Sequence, residues 1–156
     1  TGSAERLIGL LTAMPLYRDV ARYREYDVPL YKRAQLLTAD MALAFGQQGP
    51  GAFHDLDDLT ILADNLVPHV LRVDGLLDYD PELLARINKG QLIPAGSPEE
   101  TEIRAVSLHA VERVAAVLRA QGTPVTAREL DYLLWHRGQN AHYKSQPRHR
   151  SRSVFY

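Results

Sequence analysis

Apolar residues recur every three or four positions along most of the chain, in blocks separated by proline, glycine or aspartate, the pattern of a helical protein. Ser3 stands before Leu7, Ile8, Leu10 and Leu11, which predicts a capped first helix closed by Pro15. Leu16 to Tyr26 is mixed and predicts a short helix with a turn. Asp27 followed by Pro29 predicts an N-cap and first turn of a strong helix to about Phe45, with Leu30, Ala34, Leu37, Met41 and Ala44 as its apolar stripe. GQQGPG, Gly46 to Gly51, is a breaker. The block FHDLDDLTILADNLVP, Phe53 to Pro68, then reads as buried helix capped by Asp55 or Asp57, and Pro68 restarts the chain into a further short helix.

Asp80-Pro81-Glu82 predicts the next cap, and Gly90 the stop of that helix. Ser97-Pro98-Glu99-Glu100 predicts a capping box opening the longest helix, to about Ala120. Its expected buried face is Ile103, Val106, Ala110, Val111, Val114, Val117 and Leu118. Thr126 and Glu129 form a second capping box before LDYLLW. No segment alternates convincingly with a period of two. The pattern therefore predicts a compact all-α protein of about eight helices with short connections, a single helical domain over residues 1–156.

Composition narrows the function classes. The 156 residues are 46% hydrophobic and 24% charged, ordinary for a globular protein, with a net charge of -1. That balance gives no general attraction to nucleic acid or to a membrane surface, and no stable nucleic-acid partner is expected. There is no cysteine, so no disulfide framework and no thiolate nucleophile, which suits a reducing cytoplasm. No apolar run approaches membrane-spanning length.

Four carboxylates, Asp55, Asp57, Asp58 and Asp64, crowd one otherwise apolar block. The first three lie where a helix start favours acids through its dipole. Asp64 is different: it follows Leu59, Ile61, Leu62 and Ala63 and precedes Leu66 and Val67, and an acid in such a setting must be paired or put to use. His54-Asp55 matches part of an HD-type phosphohydrolase metal motif, but no histidine lies upstream to complete it. The run DLDD lacks the glycine and closing glutamate of a calcium loop. Lys32, between Tyr31 and an apolar stripe, is either a solvated lysine or a pocket cation for an anion. Arg104 reads as a surface partner of Glu100 or of an acid on another helix. The last block, YKSQPRHRSRSVFY, has four Lys/Arg residues and no acid. A solvated basic tail, a nucleic-acid contact and an ordered phosphate clamp all fit it; its apolar end favours docking onto the protein.

Taken together, VPLYKRAQLLTAD, FHDLDDLTILADNLVPHVL, IPAGSPEETEIRA with HAVE, LDYLLW and PRHRSRSVFY resemble, in order, the blocks of the queuosine salvage family. The resemblance runs from near Ser3 to Tyr156 but covers only the C-terminal part of a typical family member, without the N-terminal region that helps to build the pocket. It implies an all-helical fold similar to helix-hairpin-helix DNA glycosylases. It also implies hydrolysis of the N-glycosidic bond of queuosine 5'-monophosphate, with release of queuine for reuse in tRNA modification, and neither metal nor organic cofactor. On the family's blocks, Asp64 takes the catalytic position and Lys32 an active-site position. Asp55 borders the pocket, and His149, Arg150, Arg152 and Tyr156 fall near the substrate or in its supporting fold. The chain departs from the family at Asn65, where relatives often carry an aromatic residue. A helical glycosylase acting on another nucleotide or on nucleic acid, and a non-catalytic helical interaction module, are the competing readings.

Overall fold

The computed structural model describes residues 2–156. Among them the chain forms helices α1 (Ala4–Leu11), α2 (Lys32–Ala44), α3 (Val67–Val73), α4 (Pro81–Asn88), α5 (Pro98–Ala120), α6 (Ala127–Arg137) and α7 (Ala141–Lys144). A two-stranded antiparallel hairpin, β1 (Val20–Tyr23) and β2 (Tyr26–Pro29), lies between α1 and α2.

The capping chemistry holds in detail at several helix starts. The Ser3 hydroxyl accepts the Arg6 N–H, Asp80 accepts those of Glu82 and Leu83, and Ser97 accepts that of Glu100. Thr126 and Glu129 make both bonds of a capping box. Gly90, at φ 71°, ends α4 in the left-handed region that its lack of Cβ permits. The Glu100 carboxylate bonds Gly96 N–H rather than that of Ser97, so the α5 cap lacks the reciprocal half of a box.

Three expectations are corrected. The first is the all-α reading: the mixed Leu16–Tyr26 segment is helical only in the 3-10 turn Pro15–Tyr17, and beyond it Val20, Tyr23, Tyr26 and Val28 pair in a hairpin of register Val20↔Pro29 to Tyr23↔Tyr26. β-branched and aromatic residues suit a half-buried strand, and Pro29 is tolerated at the strand end. Asp27 accordingly caps nothing; it pairs with Arg22 across the hairpin. The second concerns α2, which starts only at Lys32, after Tyr31 in a left-handed conformation at φ 47°. Leu30 and Ala34 are buried as expected, but the helix then buries Gln35, Thr38 and Ala42, one position beyond the expected Leu37 and Met41.

The third concerns the acidic block. Only Leu56–Asp58 makes a 3-10 turn there, and the chain from Leu59 to Asp64 is neither helix nor strand. Pro68 sits in the first turn of α3 and opens that short helix as expected, with no helix directly before it. α5 likewise buries Glu100, Thr101, Ile103, Arg104, Ser107, Val111 and Ala115, while Val106 and Val117 face outward.

The largest cluster of buried side chains joins the Leu59–Asp64 segment and α3 to α5 and α6 through Ile61, Ala63, Val67, Leu71, Val111 and Ala127. A second, of Ala4, Ala42, Leu56 and Leu59, holds α1 and α2 against the 3-10 turn. A third packs α4 on the start of α5 through Leu83, Ile87, Ile93 and Ile103. The segment preceding Asp64 is thus walled in by α2, α5 and α6. No helix among the described residues is long and apolar enough to cross a membrane.

Candidate active site

Residues Leu59 to Asp64 alternate in burial: Leu59, Ile61 and Ala63 are buried, and Thr60, Leu62 and Asp64 are half-buried. That period of two puts Asp64 on the same side as Thr60 and Leu62, facing away from the core. LTILAD shows this alternation only in part, because Leu62 is apolar at an outward position, and by sequence the block reads as continuous helix.

A segment without helix or sheet partners must find other partners for its buried backbone groups. Three side chains from three helices supply them. Gln35 of α2 accepts the Thr60 N–H at 2.8 Å and donates to the Thr60 hydroxyl. Asp131 of α6 accepts the Leu62 N–H at 2.8 Å. Arg104 of α5 donates from Nε to the Ala63 carbonyl at 2.9 Å. The Asp64 carboxylate then terminates the segment: its Oδ1 accepts the N–H groups of Leu66 at 2.6 Å and Val67 at 3.2 Å at the start of α3. Oδ2 makes no hydrogen bond among the described residues, so one oxygen anchors the group and the other is left for chemistry.

Asp131 is the second carboxylate of the site. Burial is the main reason its pKa is raised, to about 6; the Leu62 N–H bond lowers it, the nearby Asp64 charge raises it further, and the Lys32 ammonium lowers it. Asp131 therefore feels the charges of both Asp64 and Lys32. Sequence reasoning passed over Asp131; the signal available was a lone acid among the apolar residues of LDYLLW.

Lys32 is set by a buried anchor that sequence reasoning also missed. The carbonyl of Asp19 accepts the N–H groups of Leu30 and Tyr31 at 2.9 and 3.0 Å, and its carboxylate accepts that of Lys32 at 3.1 Å. Arg104 grips the same carboxylate with both terminal nitrogens, NH1 at 2.9 Å from Oδ1 and NH2 on Oδ2. Its NH1 also lies 3.4 Å from Glu100, and the guanidinium sits 4.8 Å from the ring centre of Tyr156. The side chain is 3% exposed, so the expected surface pair is in fact a buried network. Burial alone would lower the Arg104 pKa; Asp19 and Glu100 more than compensate and raise it.

The C-terminal block is docked along this assembly. The Asn65 side chain bonds the backbone of Ser151 in both directions, accepting its N–H at 3.1 Å and donating to its carbonyl at 3.3 Å. Asn65, the residue departing from the family, thus works as a backbone clamp. Ile93 N–H bonds the Arg150 carbonyl at 2.9 Å. His149 and Ser151 point inward and are buried, whereas Arg148, Arg150 and Arg152 are exposed.

His149 lies edge-on to Tyr79, and burial pushes its pKa down to about 4. Arg150 donates to the Gly90 carbonyl at 3.0 Å. The Tyr156 hydroxyl donates to Glu100, and burial with that bond raises its pKa. Arg150 and Tyr156 are thus engaged in holding the fold around the Asp64 segment, while the buried Nδ1 of His149 has no hydrogen-bond partner among the described residues.

Both oxygens of Asp55 are occupied at the start of α1, accepting from Ala4 N–H, Ser3 hydroxyl and Glu5 N–H. Burial raises its pKa, but those three bonds outweigh it and leave the carboxyl below the ordinary range. Asp55 also lines a groove of about 1050 Å³ together with Arg6, Tyr31, Gln35 and Thr60. A smaller cavity of about 460 Å³ is lined by Leu66, His69, Lys144, Arg148 and Arg150. Lys32, Asp64 and Asp131 line neither. Among the described residues no group of His, Cys, Asp or Glu is placed to hold a metal ion.

Residues 1–156 match the family model described as Queuosine salvage protein. The chain belongs to the queuosine salvage family. It is 45% identical over 155 residues to a queuosine 5'-phosphate N-glycosylase/hydrolase of Sphaerobacter thermophilus, covering 99% of this chain and 48% of that protein. Proteins of the same name from Dictyostelium discoideum and Mus musculus are 39% and 35% identical, over 90% and 99% of this chain and 44% and 48% of their own lengths. The chain spans about half the length of the curated relatives it matches. In this sequence KRAQ carries Lys32 and Gln35, LTILAD carries Asp64, and LDYLLW carries Asp131.

Proposed function

We propose that this chain carries the catalytic part of a queuosine 5'-phosphate N-glycosylase/hydrolase, with Asp64 as the catalytic carboxylate. The observation that carries the proposal is the anchored Asp64, one oxygen held by the start of α3 and the other free, beside Asp131 and Lys32. The relatives' name, N-glycosylase/hydrolase, supplies the bond to be broken. The relatives' printed activity names the substrate, queuosine 5'-phosphate. Queuine is the released base. The single-domain organisation and the likeness to helix-hairpin-helix glycosylases belong to the same proposal, as does a cytoplasmic location.

Cleavage of an N-glycoside develops positive charge on the ribose ring. In this reading the free oxygen of Asp64 stabilises that charge, orients the attacking water and takes one of its protons as the water oxygen bonds C1'. The glycosidic nitrogen leaves with the bonding pair and takes up a proton. Asp131, titrating near neutrality, stands on the side of the departing base, where it hydrogen-bonds the base and exchanges that proton. Lys32 holds a ribose hydroxyl or the 5'-phosphate, and its charge limits the repulsion between the two acids. Arg152, exposed on the docked C-terminal segment, is the first candidate for the phosphate.

The test is to incubate the full-length protein with queuosine 5'-monophosphate and assay free queuine, beside the Asp64→Asn variant. The amide still accepts the Leu66 N–H, so the variant should fold as the parent does and release no base. Turnover near the parent's rate by Asp64→Asn sinks the assignment.

A further inference from the structure

Arg104 connects the two halves of the candidate site. Its terminal nitrogens hold Asp19, whose carboxylate accepts the backbone N–H of Lys32. Its Nε holds the Ala63 carbonyl, one residue before Asp64. Lys32 and Asp64 lie 32 residues apart in sequence and on different elements. One rigid guanidinium spans them.

We propose that Arg104 is a positioning residue for the reaction, fixing Asp64 relative to Lys32 through the Ala63 carbonyl and Asp19. The proposal rests on the assignment of Asp64 and Lys32 to the chemistry. The guanidinium suits the task because its donors lie in one plane at fixed angles, so Asp19 and Ala63 cannot shift independently. Its surroundings close it on the other sides. Glu100 lies one turn earlier on α5, and the Tyr156 ring packs on the guanidinium while its hydroxyl bonds Glu100. A network needed only for stability has no reason to end on the residue next to the catalytic carboxylate and on the backbone of the active-site lysine.

Lysine at this position keeps the buried positive charge but cannot span the same acceptors in one plane. Arg104→Lys in the full-length protein should remain folded, bind a non-hydrolysable queuosine 5'-monophosphate analogue within about threefold of the parent, and lose roughly 100-fold in kcat, the scale of a small misplacement of reacting groups. Asp19→Asn is the second variant. It keeps an acceptor for the Lys32 N–H, weakens the grip on Arg104, and should show the same kcat-selective loss.

Rates are normalised to the folded, analogue-binding fraction. Normalised kcat within threefold of the parent, in whichever of the two variants folds, overturns the proposal. So does a loss in analogue affinity that matches the loss in kcat/KM. Asp64→Asn is assayed alongside: turnover in that variant refutes the site itself, whereas an inactive Asp64→Asn beside a fully active Arg104→Lys refutes only the positioning role.

Discussion

The carboxylate of Asp131 accepts the Leu62 N–H at 2.8 Å, two residues before Asp64, so the second acid of the site is also a structural support of the first. The two duties conflict. Burial raises the Asp131 pKa from the ordinary 3.8 to about 6, so above that pH the folded chain carries a buried charge next to another carboxylate. For a raised carboxyl pKa the sign is fixed: the contribution to stability is fully present below 3.8 and is lost as pH rises through about 6. Asp131→Asn removes the charge and keeps an oxygen for Leu62. The unfolding free energy of that variant relative to the parent should therefore climb between pH 4 and pH 8, by roughly 3 kcal/mol for a shift of this size. Urea unfolding at several pH values measures it, and a flat difference refutes it. The same variant should lose catalysis, since an amide cannot exchange the proton.

His149 acts in the opposite direction. Burial, chiefly, lowers its pKa from 6.5 to about 4, so its stabilising contribution is complete above 6.5 and is lost as pH falls through about 4. In the parent the two effects offset one another across the overlapping window. In Asp131→Asn the histidine is no longer opposed by that acid, and acidification from pH 6.5 to 4 should then cost roughly 3 kcal/mol through it. Adding His149→Gln should flatten that slope. A slope unchanged by the second substitution would assign the acid sensitivity elsewhere, with His69, also buried and lowered, as the next group to test.

Gly138 marks a close approach rather than a special turn. Its φ of -62° suits any residue, but a Cβ there would lie 2.8 Å from Leu66 Cδ1 and 3.0 Å from Val70 Cγ2. Gly138→Ala should destabilise the fold by about 1–3 kcal/mol through overpacking. Because the Leu66 N–H holds Asp64, activity should fall as well. Shortening the obstacle with Leu66→Val should restore part of the stability in denaturant titrations; no recovery would place the strain elsewhere.

The helix caps were legible because they are local. Asp80, Ser97 and Thr126 each satisfy N–H groups two or three residues ahead. Asp64 also stood out, as an acid among apolar neighbours. The hairpin escaped notice because its two-residue turn is Arg24-Glu25, with Arg24 at φ 53°, where glycine or asparagine is the usual signal. The Leu59–Asp64 segment escaped because its backbone partners, Gln35, Arg104 and Asp131, are distant in sequence. The buried stripe of α5 was misplaced for a related reason. Apolar periodicity selects Val106 and Val117, but Arg104 and Glu100 turn inward once Asp19 and Tyr156 are there to meet them.

Arg152 tests how the substrate's phosphate is held. Its neighbour Ser151 is bonded to Asn65, the residue after Asp64, so the Arg152 backbone is fixed close to the Asp64 segment while its side chain stays exposed. Arg150 and Tyr156 are occupied with Gly90 and Glu100, and His149 is buried, which leaves Arg152 as the exposed cation of the predicted block with no partner in the fold among the described residues. Losing one charge-assisted bond to a phosphate removes about 1.5–3 kcal/mol, roughly 10- to 100-fold in affinity. Arg152→Ala should therefore raise KM for queuosine 5'-monophosphate by about tenfold or more and leave KM for the dephosphorylated nucleoside nearly unchanged. Equal changes with both substrates would remove Arg152 from the phosphate site and point instead to the cations around the smaller cavity, Lys144 and Arg148.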